Sequence, residues 1–190
     1  LAPCASFALT NTLGGFGRDF ATSEQLVGVM GGAGAAVAGV AGSLLVPLLL
    51  KRVAAAPLYL AVGLAGAVFT LGLAAAARTP LTFGVAMLGE NIFQAAAFSA
   101  ANVVTLEAIG HDNPLAATQF GVLIGVSVIP LTYMQVIDGR AYGWGGVTGS
   151  LLADAVISGV VCVAMGFAWN RRRSGGLANA SLSRGEPGSA

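Results

Sequence analysis

Residues 27–50 read VGVMGGAGAAVAGVAGSLLVPLLL, without a single Asp, Glu, Lys or Arg. A helix needs about 20 predominantly apolar residues to cross a hydrocarbon core about 30 Å thick, and this stretch meets that length. It is also dense in small residues. Gly28 and Gly32 stand four apart, as do Gly34, Ala38 and Gly42. At that spacing small side chains share a helix face and let two backbones approach closely in lipid. Helix packing is the plain reading of Gly28, Gly32, Gly34 and Gly42, and a mobile helix lining a solute path is the sharper one.

Outward from this stretch the pattern repeats. Residues 1–17, 53–77 and 113–137 also lack charged side chains, while 79–106 and 141–170 hold one acid each, Glu90 and Asp154. Five full spans follow: Val27–Leu50, Leu58–Ala77, Leu81–Leu106, Phe120–Val136 and Val147–Trp169. Leu1–Leu13 is apolar but short and runs into the turn sequence GGFGRDF at 14–20. It reads as a sixth span whose beginning is missing. A transmembrane barrel needs strands of alternating polarity, which runs such as LGLAAAA at 71–77 do not supply.

Composition points the same way. Only 9% of the 190 residues are charged and 56% are apolar, with 28 glycines besides; ordinary soluble domains are about 25% charged. Too little polar surface exists for a water-soluble globule, and the chain is too apolar for disorder. A net charge of +1 leaves no basic stripe for nucleic acid. The chain therefore reads as an all-α integral membrane protein: a bundle over 1–172, then a disordered tail over 173–190 on the cytoplasmic side. Orientation follows from the basic residues. Six of them (Lys51, Arg52, Arg171, Arg172, Arg173 and Arg184) fall on one side, against Arg18, Arg78 and Arg140 on the other. The excess marks the cytoplasmic face.

Few residues can carry catalytic or metal chemistry. His111 is the single histidine and lies in a loop, while Cys4 and Cys162 sit in apolar segments as small hydrophobes. No metal site, cofactor or enzymatic constellation is expected. The polar residues at membrane depth are the functional candidates, because a carboxylate there costs about 2.5–3.5 kcal/mol on insertion scales and faces a bundle interior or aqueous cavity. Glu90 lies near the middle of its span. Gln94 follows one turn later and Thr105 falls on nearly the same face, with Asn91 and Asn102 flanking it. Glu90, Asn91, Gln94 and Asn102 are thus the candidates for binding substrate or relaying protons, with an interhelical tie as the alternative role for Glu90. Asp154 reads as a structural tie nearer the outer end of its span.

Three passages carry a resemblance. Residues 42–52, GSLLVPLLLKR, resemble the loop motif between the eighth and ninth helices of the major facilitator superfamily; Gly42, Lys51 and Arg52 match, and the acidic position is apolar here. Glu90-Asn91-Ile92-Phe93 is similar to an element of helix ten in AmpG-like peptidoglycan-fragment permeases. Residues 113–120, NPLAATQF, resemble the segment opening their helix eleven. The resemblance implies helices seven to twelve of a transporter, the first truncated: a six-helix half that works with a missing N-terminal half in a bacterial inner membrane. It implies alternating access around a midplane site, a small solute such as a muropeptide, and coupling to protons through Glu90. A non-transporting membrane assembly or sensor component is the alternative, and an integral-membrane enzyme the remote one. Under this topology Gly14–Ser23, Ala77–Pro80 and Asp138–Gly145 form outer loops, and Lys51–Pro57 and Glu107–Leu115 inner ones.

Overall fold

The structure, a computed structural model, describes residues 7–110 and 112–183, the side chains of Phe7 and of 172–183 excepted. All regular secondary structure among the described residues is helical, with no strand. Helix α1 (Phe7–Leu13) runs into a tight turn of 3-10 helix at Gly14–Arg18. Ser23 then caps a long rod by accepting a hydrogen bond from the Leu26 amide at 3.3 Å. The rod comprises α2 (Glu24–Val29), one π turn (Met30–Gly34) and α3 (Ala35–Leu50). Helix α4 covers Ala55–Ala75 and α5 covers Pro80–Ile109. Helix α5 begins with Pro80 behind a Thr79 cap and ends at Gly110, whose φ of 80° no ordinary side chain favours.

Helix α6 (Ala116–Ser183) is broken at Gly146, where φ is 59° and ψ −151°. It is two arms, 116–145 and 147–183. They fold back on each other: a Cβ at Gly149 would collide with the Ala141 carbonyl, although eight residues of straight helix separate their levels by about 12 Å. Within the expected tail the described backbone is helical through Ser183. The remainder of that tail, 184–190, lies outside the described residues, as do Cys4 and His111.

Four helical stretches are long and apolar enough to cross a membrane: Glu24–Leu50, Ala55–Ala75, Pro80–Ile109 and Ala116–Arg171. The last holds the fourth and fifth expected spans on its two arms. By length and composition these helices point to a membrane-embedded protein. Its outward faces carry the side chains that lipid solvates, such as Val37, Leu44, Leu48, Val128 and Val160.

Helix α3 packs on α5, α5 on α4, α4 on α6, and α1 closes against α6. Two apolar clusters result. One joins Leu9, Leu13, Phe16 and Phe20 to Leu73, Phe83, Met87, Val147 and Leu151. The other joins Val46 of α3 to Leu58 and Tyr59 of α4 and to Ala96, Ala97 and Ala100 of α5.

Three of the segments expected on the outer side converge at one end. Tyr142 donates to the Asp19 carboxylate at 3.0 Å and stacks on Phe16 with centroids 5.1 Å apart. Arg78 reaches Thr148 at 2.7 Å, donates to the Leu73 and Ala74 carbonyls, and lies over the Phe20 ring. The expected outer loop Asp138–Gly145 needs correction, however. It is helical to Gly145, and Asp138 is buried at 1% exposure rather than in water. Four glycines between 139 and 146 suggested a loop, but of these only Gly146 leaves helical backbone.

Of the small-residue stripe, Ala38, Gly42 and Val46 form the buried face of α3. A Cβ at Gly42 would strike the Ile92 carbonyl and lie 3.1 Å from Ala95 Cβ, so only glycine allows this approach to α5. A Cβ at Gly34 would lie 3.4 Å from the Leu88 and Met30 side chains, whereas one at Gly28 or Gly32 would meet nothing within 4 Å. Around a regular helix Gly32 stands about 120° and Gly28 about 80° from Ala38, off the face that packs on α5.

Candidate functional site

Helix α5 buries the face carrying Phe83, Ala86, Met87, Glu90, Ala97 and Ala100. Glu90 is the one acid in that row. It lies about 15 Å along the helix from Pro80, with no exposed surface. Its neighbour across the helix interface is Thr70 of α4, also fully buried, whose Oγ1 stands 2.6 Å from Glu90 Oε1 and 3.0 Å from the Gly66 carbonyl. Phe69 and Gly89 make this approach possible. The Phe69 ring occupies the space a Cβ at Gly89 would need, and it packs on Phe93 with centroids 5.4 Å apart. Two small-or-aromatic pairs, Phe69-Thr70 and Gly89-Glu90, thus mate across α4 and α5.

The threonine hydroxyl has one hydrogen and two lone pairs. With Glu90 ionised, Thr70 donates to Oε1. With Glu90 protonated, Thr70 accepts from the carboxyl and donates to the Gly66 carbonyl. Both charge states of the acid therefore find a partner in the same place without a change of rotamer.

The other candidates on α5 are placed differently. Asn91 donates to the Met87 carbonyl of its own helix at 2.7 Å and is half-buried. Gln94 is half-buried one turn beyond Glu90. Asn102 is half-buried with an enclosed Oδ1 that has no hydrogen-bond partner. Thr105 is buried. Asn102 lies twelve residues from Glu90, about 18 Å along the axis. The four candidates are a stripe along α5 and do not converge on one point.

Asp154 faces the bundle interior, about seven residues into the second arm of α6. It is 1% exposed and lies on the buried face of the second arm of α6, between Ser150 and Ser158 at one-turn spacing. Two contacts set the level of this row. Arg78 bonds Thr148, and a Cβ at Gly159 would touch Ala67 Cβ at 3.8 Å. Helix α4 and the second arm therefore run antiparallel, with paired residue numbers summing to about 226. Thr70 then falls level with 156, between Asp154 and Ser158. The Glu90–Thr70 pair and Asp154 share one depth of the bundle.

Asp138 is the residue that sequence reasoning missed. It is 1% exposed on the first arm of α6, neither carboxylate oxygen has a hydrogen-bond partner, and the charge of Asp154 acts on it across the hairpin. The signal for it was available: Asp138 and Asp154 each lie eight residues from Gly146. A groove of about 510 Å³ runs between the arms past Arg140, Trp144, Gly149 and Ala153, and neither acid lines it.

The loop between α5 and α6 is tied by Asn113, whose amide donates to Gln119 Oε1 at 2.9 Å and whose Oδ1 accepts from the Leu115 amide at 2.9 Å. Gly42 is a buried packing position, while Lys51 and Arg52 project from the exposed turn after α3. Cys162 is buried and is in no disulfide. Among the described residues no three His, Cys, Asp or Glu side chains are grouped to hold a metal. Compared with known proteins, the chain matches no family model, no curated protein and no solved structure.

Proposed function

We propose that this chain is half of a secondary active transporter, a six-helix bundle of major-facilitator type resembling the AmpG-like permeases. It moves a small solute, with muropeptides as the implied class, across a bacterial inner membrane by alternating access. The observation that carries the reading is Glu90. An acid wholly enclosed at mid-helix, beside a hydroxyl able to serve it charged or neutral, is suited to taking up and releasing a proton as the bundle rocks. The polar stripe through Asn91, Gln94 and Asn102 continues along the same helix as the wall facing solute. The N-terminal half is the partner this reading requires.

The same enclosure favours a second reading. A Glu90 held by Thr70 with no exposed surface is also what an interhelical tie looks like, and in a non-transporting membrane assembly it needs no other role. Uptake separates the two. Cells carrying the intact gene should accumulate labelled muropeptide, a protonophore should abolish this, and Glu90→Gln should lose it while the protein still inserts. Uptake that survives Glu90→Gln with its proton dependence intact assigns Glu90 to the tie. Absence of uptake by the native protein overturns the muropeptide reading.

A further inference from the structure

The transporter reading leaves the groove between the two arms of α6 without an occupant. It holds about 510 Å³, within the range of about 300–1,000 Å³ usual for small-ligand sites. The first arm lines it with Arg140, Ala141, Trp144 and Gly145, and the second with Gly149 and Ala153. Small residues make the space. Gly149 brings the arms into backbone contact at the Ala141 carbonyl, while a Cβ at Gly145 would meet nothing within 4 Å.

Arg140 is exposed, and it makes no hydrogen bond or ion pair with any described residue. Asp138, two residues earlier, stands about 160° away around the helix and is buried on another face. Asp19 accepts from Tyr142. The groove thus carries one positive charge and asks for an anion. Its level says which. The first arm, residues 116–145, is about 45 Å long, the thickness of a bilayer with its headgroups. Arg140 and Trp144, in the last two turns of that arm, stand at headgroup level, where tryptophan concentrates. Exposed apolar side chains continue the groove toward the hydrocarbon. On helical phase, Tyr133 and Val126 follow Ile137 along the first arm, and Val156 and Val160 follow Ala153 along the second. A guanidinium meets phosphate oxygens with two parallel hydrogen bonds. A cation at headgroup level above an apolar trough fits a molecule with a phosphate head and a hydrocarbon tail.

We propose that the groove between the arms of α6 binds one anionic phospholipid. Its phosphate lies on Arg140, its head beside Trp144, and an acyl chain against Gly145, Gly149 and Ala153. The site requires that the arms cross a bilayer, and it stands whether or not the chain carries a solute.

Trp144 can report on its own occupant. The chain has two tryptophans, so Trp169→Phe leaves Trp144 as the sole indole in phosphatidylcholine vesicles. Phosphatidylglycerol with brominated acyl chains should quench it at a mole fraction about tenfold lower than brominated phosphatidylcholine requires. Tenfold is the worth of one hydrogen bond to a charged group. Arg140→Gln should bring the two lipids level. Gly145→Leu, which fills the groove and keeps the charge, should do the same. Both positions are exposed, and circular dichroism of both variants should stay helical. Equal quenching by the two lipids without either substitution overturns the proposal. A preference that survives Gly145→Leu overturns it in favour of surface charge acting without a groove. Quenching relieved by inorganic phosphate at matched ionic strength overturns it in favour of a free anion. A Trp144 that neither lipid quenches overturns it in favour of a protein segment lying over the groove.

Discussion

Thr70 serves Glu90 from the neighbouring helix, and its replacement isolates the worth of that contact. Thr70→Val keeps the shape and removes the hydroxyl, so the carboxyl loses its 2.6 Å partner. Interhelical hydrogen bonds in membranes average about 0.6 kcal/mol and reach ~1.7 kcal/mol, and the enclosed acid places this one toward the upper value. Unfolding in mixed micelles should show a loss of about 1 kcal/mol for Thr70→Val and near-native stability for Thr70→Ser. At this scale the sequence was informative about half of the site. Glu90 stood out as a lone acid in an apolar span, but Thr70 did not. A threonine in the AGAVFTLGL run at 65–73 is unremarkable until α4 and α5 are seen to pack through Phe69 and Gly89.

Two glycines decide how the elements meet. Gly42→Ala would drive a methyl into the Ile92 backbone, which cannot give way as a flexible side chain could. Overpacking of this kind costs about 1–3 kcal/mol. Gly39→Ala on the same helix meets nothing within 4 Å and should be neutral or slightly stabilising, so the pair measured side by side in denaturation reports the α3–α5 approach alone. Gly146 occupies φ 59° and ψ −151°, a region open essentially to glycine. Gly146→Ala should therefore weaken the hairpin by about 1–3 kcal/mol, and Gly145→Ala, which stays helical, should not. The contrast also explains what could and could not be read in advance. Span positions follow from the scarcity of charge, and each of the five full expected spans lies within an observed helical stretch but for Ala76 and Ala77, where α4 ends early. Which glycine among 139, 143, 145 and 146 breaks the chain is not a matter of composition. It depends on where the two arms can touch, at Ala141 and Gly149, and Asp138 was misplaced for that reason.

Over the whole molecule, the contacts of Asp19, Arg78, Tyr142 and Thr148 gather three connections at one end of the bundle. The turn bearing Lys51 and Arg52 follows α3 at the far end of that rod from Ser23. The arrangement fits the bias in basic residues, and it can be checked. In a background with Cys4→Ser and Cys162→Ala, a cysteine at Trp144, which is 90% exposed, should react with an impermeant thiol reagent only from the outer face of oriented vesicles. A cysteine at Lys51 should react only from the inner face. Labelling of both from one face would reverse the antiparallel course described for α3 to α6. The hairpin also bears on how such a chain is made. Each arm holds an aspartate whose solitary transfer into hydrocarbon costs about 2.5–3.5 kcal/mol, and both acids are buried in the folded bundle. Release of residues 116–171 from the translocon as a closed pair would lower that cost for the two arms together.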